Sequence, residues 1–292
     1  MTNARKKFGK KLIEIRERKG LRQADVAGLI NLSQRSIGRL ERGEIESASL
    51  DSLIELSKVY GTDIISLYKK YIYGNLCILD EINSLLDVNA VFLPKEIRIN
   101  SLEKIKLIKD AKDLEAKRYE MDLLELFIKY LNSEISDEAL RDKFEDLSGN
   151  KIKRENFSKL DLSPLELRIL LNIASNFHSY KNIDSVEIFE MCKNQDKNKT
   201  VKLLAYNNFS NFYVINKDYQ DALKISNEGI SYSRNSSSID GLLYLHFINF
   251  LASYRANKNY EEALLVTKAL LKNNLNPELN MMVNKNINNI LG

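Results

Sequence analysis

Apolar residues recur along this chain at helical spacing and almost nowhere with the alternation of a strand. Phe8, Leu12 and Ile15 stand at i, i+4 and i+7, which predicts a first helix over 5–19 with one buried stripe, ended by Gly20. The sharpest pattern follows over 21–43. Counting from Gln23, apolar residues fall at the fourth, eighth, tenth, fifteenth and eighteenth positions: Val26, Ile30, Leu32, Ile37 and Leu40. Ala27, at the fifth, is small enough to let two helices cross closely. The pattern predicts helices over 23–30 and 34–42. Asn31 falls at the turn, where a left-handed residue is expected. Ser33 is the expected N-cap of the second helix, and Gly43 closes it. A fourth helix starts near Ser49, with Leu50, Leu53, Ile54 and Val59 as its buried face. Gly61 ends it, and Thr62 is expected to cap a fifth helix over 63–71.

Two short helices joined by a tight turn at this spacing form a helix-turn-helix, whose second helix enters the DNA major groove. The alternative is an ordinary helical hairpin inside a larger bundle. Over residues 6–70 the pattern resembles the Xre/phage-repressor class of helix-turn-helix domains, a five-helix, lambda-repressor-like fold. Arg35 and Arg39 are i and i+4, opposite Ile37 and Leu40. With Gln34 they are the candidate base readers; one bidentate Arg–guanine pair contributes roughly 1–3 kcal/mol of discrimination. Gln23, Ser36, Arg42 and Arg22 are the candidates for phosphate. In the resembled domains the positions of Arg16 and Glu41 form an internal ion pair, which makes Glu41 structural and not a DNA contact. Two residues depart from the class. Arg22 stands where a small capping residue is usual, and Gly38 interrupts the recognition helix.

Beyond residue 100 a weak repeat emerges. Tyr206, Phe209, Ser210, Tyr213, Tyr219, Ala222 and Leu223 return 41 residues later as Phe247, Phe250, Leu251, Tyr254, Tyr260, Ala263 and Leu264. The match resembles the tetratricopeptide repeat, in which large residues wedge between paired helices and a small Ala permits close packing. The seven residues beyond the usual 34 are assigned to the turn at 233–240. Ile173, Ala174, Phe177 and Val186 mark an earlier copy, 36 residues before the one at Ala222. Pro277 opens a last, capping helix. A helical bundle without true repeats is the alternative. Asn207 with Asn211, Asn172 with Asn176, and Asn249 fall on first helices of the pairs. An Asn amide can clamp an extended peptide backbone through one donor and one acceptor. Arg255 is the candidate for a peptide carboxylate. Asn is common throughout this chain, so a purely structural role for these residues is the competing reading.

Composition sharpens this division. Residues 1–70 hold fifteen Lys/Arg against nine Asp/Glu, while the rest holds 29 against 31. The basic surplus therefore sits where phosphate contact would need it. Cys77 and Cys192 lack metal-ligand spacing and are expected to be free thiols. The two histidines, His178 and His246, come with no Gly-rich phosphate loop or paired ligand motif. This argues against a phosphatase or other enzyme, and no metal or cofactor is expected. No apolar run reaches membrane-spanning length.

The expected organisation is all-α: a helix-turn-helix domain over 1–71, a linker helix and loop over 72–100, and a right-handed tetratricopeptide-like superhelix over 101–292. The combination resembles the RRNPP family of Gram-positive regulators. The resemblance implies a cytoplasmic homodimer on a palindromic double-stranded DNA operator, controlled by a short signalling peptide, which is expected on the concave face of the helical array. The alternative keeps DNA binding but makes the array a protein-interaction scaffold with no peptide ligand.

Overall fold

The computed structural model describes residues 2–89, 91–149, 151–195, 198–233 and 238–292. It divides into two compact units. The first comprises Met1–Glu81 with Ala111–Glu115, and the second Ile82–Asp110 with Ala116–Gly292.

In the first unit, α1 (Thr2–Arg18), α2 (Gln23–Ala27), α3 (Gln34–Glu41), α4 (Leu50–Tyr60) and α5 (Ile64–Ile72) enclose one core. Phe8, Leu12, Val26, Ile37, Leu56 and Tyr60 are sealed in it, and Ile30 and Leu32 pack on its edge. Gly9 lies where α1 meets α3: a Cβ there would stand 2.0 Å from the Glu41 carbonyl oxygen. Gly43 takes the left-handed conformation that closes α3, at φ 71°.

Several local expectations are corrected. α2 stops at Ala27, before Ile30, with Gly28 still right-handed. Asn31 is not left-handed. The six residues from Gly28 to Ser33 join α2 to α3 with no left-handed residue among them. The Asn31 N–H instead donates to Glu55 at 3.2 Å. Leu50 is 60% exposed, because the buried stripe of α4 begins one turn later, at Leu53, and continues through Leu56 and Tyr60. Asp63, not Thr62, caps α5 by accepting from the Ser66 N–H at 3.0 Å.

α6 (Gly74–Val88) contains the division between the units, at Glu81/Ile82. The loop expected through residue 100 is shorter, because α7 (Lys95–Ile108) begins directly after Pro94. Proline's fixed φ and missing N–H suit a helix start.

The second unit continues with α8 (Arg118–Leu131), α9 (Asp137–Ser148), α10 (Pro164–Asn176), α11 (Ser185–Lys193), α12 (Lys199–Ile215), α13 (Tyr219–Ser233), α14 (Ile239–Arg255), α15 (Glu261–Asn273) and α16 (Pro277–Leu291). From α7 to α15 each helix packs on the next, α16 packs on α14, and α10, α12 and α14 also pack side by side as one row. The repeat residues Phe209, Ala222, Phe247 and Phe250 are buried between the helices. Two glycines tighten the stack. A Cβ at Gly229 would meet Leu245 and Tyr206 at 2.9 Å, and one at Gly241 would meet Leu203 at 2.5 Å. Residues 234–237, in the turn assigned to the longer repeat, lie outside the described residues.

Among the described residues the fold is all-α apart from a small hairpin between α10 and α11. In it β1 (Ser179–Tyr180) pairs antiparallel with β2 (Ile183–Asp184). Lys181 and Asn182 turn it, both at positive φ. Among the described residues no helix is long and apolar enough to cross a membrane, and no group of acidic, His or Cys side chains could hold a metal ion.

Candidate nucleic-acid interface and ligand cleft

α3 starts on Ser33, whose hydroxyl accepts the Ser36 N–H at 3.0 Å. Ile37 and Leu40 anchor its back to the core, which leaves Gln34, Arg35 and Arg39 exposed on the other side. The helix is also held by charge. Glu41, almost fully buried, accepts from Arg16 Nε at 2.6 Å and Nη2 at 3.1 Å, and from Gln23 Nε2 at 2.7 Å. Arg16 Nη1 donates in turn to the Leu21 carbonyl at 3.0 Å, which ties the entrance of α2 to the same pair. The Glu41 carboxylate raises the Arg16 guanidinium above its ordinary value, against the opposing effect of burial. Nearby, burial pushes the Tyr60 hydroxyl up to about 12, with the Glu41 charge adding to it.

The four expected phosphate residues are all engaged within the unit. Gln23 donates to Glu41. The Ser36 hydroxyl pairs with that of Ser33 at 2.9 Å. Arg42 forms a two-bond pair with Glu44, Nε to Oε1 at 2.6 Å and Nη2 to Oε2 at 3.1 Å. Arg22 is turned onto Asp25. The missing side-chain cap of α2 is offset by that same Asp25, whose carboxylate accepts the Arg22 backbone N–H at 2.7 Å. Gly38 is covered: a Cβ there would lie 3.1 Å from Arg42 Nη1 and 3.4 Å from Gln23 Oε1. Its small size serves packing by these two side chains.

The second unit carries a cleft of about 810 Å³ between the C-terminal end of α6 and the starts of α8 and α10. Arg168, buried at its wall, donates to the Leu86 carbonyl at 3.0 Å and to Asp87 at 2.7 Å. Glu166 accepts from Tyr119 at 2.8 Å, Lys151 at 2.9 Å and the Ser163 N–H at 2.7 Å. Burial pushes the Glu166 carboxyl up, but these donors hold it below its ordinary value. A second cavity shares Leu86 and Arg168 with this cleft and is lined by Phe127, Leu204, Asn172 and Asn208.

The asparagines expected to bind peptide are not equivalent. Asn172 lines the second cavity and donates to the Arg168 carbonyl of its own helix at 2.8 Å. Asn176 donates to Tyr130 at 2.8 Å and Asp137 at 2.7 Å. Asn249 donates to Ser226 and Asn227 on α13 at 2.9 and 3.0 Å. Asn211 is half-buried on α12, and Arg255 is exposed at the end of α14. Asn207 must be corrected: it is fully buried and donates only to the Leu203 carbonyl at 2.9 Å among the described residues, so it cannot meet a ligand. Its neighbour Asn208 lines the cavity instead. The sequence held that signal, because offsets of 36 and 41 residues connect Asn172, Asn208 and Asn249. Arg168, Glu166, Tyr119 and Lys151 belong to no repeat, and sequence reasoning missed them.

The Asn207 Oδ1 is buried without a partner among the described residues. Asn207→Leu is therefore expected to leave stability unchanged or to raise it by about 1 kcal/mol. Urea denaturation measures this; a loss above about 1 kcal/mol would mean that the amide does more than fill space.

Comparison with known proteins adds two findings. Residues 12–67 match the Helix-turn-helix family model. Among solved structures the chain is similar to PlcR of Bacillus thuringiensis, solved with the peptide PapR7 and DNA, at 16% identity and TM-score 0.62 over 98% of this chain and 99% of that one. It is also similar to ComR of S. thermophilus, solved with DNA and its signalling peptide ComS, at 17% identity and TM-score 0.52 over 96% and 98%. The apo competence regulator ComR of Streptococcus vestibularis matches at 14% identity and TM-score 0.54 over 99% of both chains. What is shared at these identities is the fold. Among curated protein sequences nothing matches.

Proposed function

We propose that this chain is a sequence-specific DNA-binding transcriptional regulator of the RRNPP type, controlled by a short peptide bound in its second unit. The observation that carries the reading is α3. Its inner side is fixed by Ile37, Leu40 and the buried Glu41, while Gln34, Arg35 and Arg39 are exposed on the other. A recognition helix needs that rigidity, because base readout depends on side chains held in register with the groove. The matched helix-turn-helix model and neighbours solved with both DNA and peptide support the same reading. The peptide is assigned to the Arg168 cleft and the adjoining cavity with Asn172 and Asn208, where polar donors stand beside apolar walls. A homodimer on a palindromic operator fits a single small reading helix, since two half-sites multiply its modest affinity. DNA as partner implies a cytoplasmic location.

The test is selection of a preferred duplex from a random pool, followed by titration at stated salt with and without candidate peptides. Arg39→Ala is expected to relax preference at one position of each half-site, by roughly 1–3 kcal/mol of discrimination. Equal loss on selected and random duplexes would remove Arg39 from the base readers. If calorimetry detects no peptide binding while duplex binding stands, the array is an interaction scaffold.

A further inference from the structure

Glu44 has no role in the reading above, yet its position is closely specified. α3 ends in a Schellman closure: the Gly43 N–H donates to the Leu40 carbonyl at 3.0 Å and the Glu44 N–H to the Arg39 carbonyl at 2.9 Å. Gly43 is fixed in its left-handed turn beside the backbone of Arg5 and Lys6. This closure returns residue 44 over residue 39, where helices usually place an apolar contact. Here the contact is ionic. The Glu44 carboxylate takes both Nε and Nη2 of Arg42 and lies 4.0 Å from Arg39 Nε. Hydrogen bonding from Arg42 holds its carboxyl below the ordinary range. An acid at the C-terminal end of a helix opposes the helix dipole, so Glu44 is poorly chosen as a stabiliser of α3. Its two parallel bonds to a guanidinium are, however, the geometry in which arginine also receives a phosphate.

We propose that Glu44 is a tethered competitor for DNA phosphate: it occupies Arg42, lies beside Arg39, and so sets the affinity of the helix-turn-helix for duplex DNA. The inference rests on the DNA-binding reading and deepens it. Any duplex must exchange a phosphate for this carboxylate or tolerate its charge. The effect falls on all sequences, because it concerns the backbone and not the bases. A low intrinsic affinity leaves occupancy to depend on base contacts made by Arg39 and its neighbours.

The test uses the full chain as wild type, E44Q and E46Q, titrated with a 30-base-pair random-sequence duplex pool at several salt concentrations. Glu46 is the control acid, nearby and largely exposed. E44Q keeps the backbone closure and is expected to bind about 5- to 10-fold more tightly at low salt, with log K against log salt steeper by about 0.9 per reading unit. E46Q is expected to change affinity less than about twofold. Equal or weaker binding by E44Q overturns the proposal, and so does an equal gain from E46Q, which would reduce the effect to net charge. An unchanged thermal midpoint for E44Q excludes misfolding as the cause of a weak result. If wild type and variants all fail to retain duplex DNA, both alone and with the candidate peptides, the DNA-binding reading fails and this inference with it. Wild-type binding without a gain from E44Q removes the inference alone.

Discussion

Gly9→Ala is expected to unfold the first unit while leaving the second folded. The added Cβ would stand 2.0 Å from the Glu41 carbonyl oxygen and 2.6 Å from its carbon, both backbone atoms that cannot swing aside. To admit it, α1 must separate from α3, which draws Phe8 and Leu12 out of register with Ile37 and Leu40. In a helix interior alanine gains about 1 kcal/mol over glycine, but overpacking against backbone is expected to cost more than about 3 kcal/mol. Hydrogen exchange is the direct measurement. Amides of α1 and α3 should lose protection while those of α12 and α14, in their own core, keep it. Wild-type protection in α1 would show that the two helices have room to part.

The second large effect concerns Arg16. Arg16→Met leaves the buried Glu41 carboxylate without its guanidinium, keeping only Gln23 among the described donors to it. Removing one partner of a buried pair costs roughly 3–5 kcal/mol, because the remaining charge is desolvated without compensation. Arg16→Met combined with Glu41→Leu removes both charges and is expected to recover most of that loss. Urea denaturation of the four members of this cycle gives the coupling. The outward face of α3 is untouched in the double variant, so duplex binding should return with stability. A single variant costing less than about 1 kcal/mol, or a double variant no better than the single one, would mean that Glu41 reaches water.

Both predictions concern interactions that the sequence exposes unequally. The motif around 21–43 suggests an ion pair between residues 16 and 41 only through its resemblance to a class of domains. Gly9 carries no local sign of its role, because the atom it must avoid lies 32 residues away on another helix. The array shows the same division. Its helix pairs follow from aromatic and small residues returning at fixed offsets, of which Tyr206, Phe209, Ala222, Phe247 and Phe250 are buried. Between Asn207 and Asn208, however, the side chain that faces the cavity is fixed by how α12 rests on its neighbours, and helical periodicity alone favours neither. The cleft is less legible still, since Asp87 on α6, Lys151 beyond α9, and Glu166 with Arg168 on α10 meet only in the fold.

By itself the sequence determined that this protein is helical, that its N-terminal part carries a helix-turn-helix with Gln34, Arg35 and Arg39 on its outer side, and that its remainder is built from helix pairs. Those features are local or periodic: they depend on capping residues, on turn residues and on the 3.6-residue repeat of apolar positions. The tertiary structure decided the rest. It closed Gly9 against Glu41, sealed Asn207, gathered the charged cleft around Arg168, and returned Glu44 onto the arginines of α3. Each of these joins groups from different turns or different helices, and their meeting is set by how helices cross and how they end.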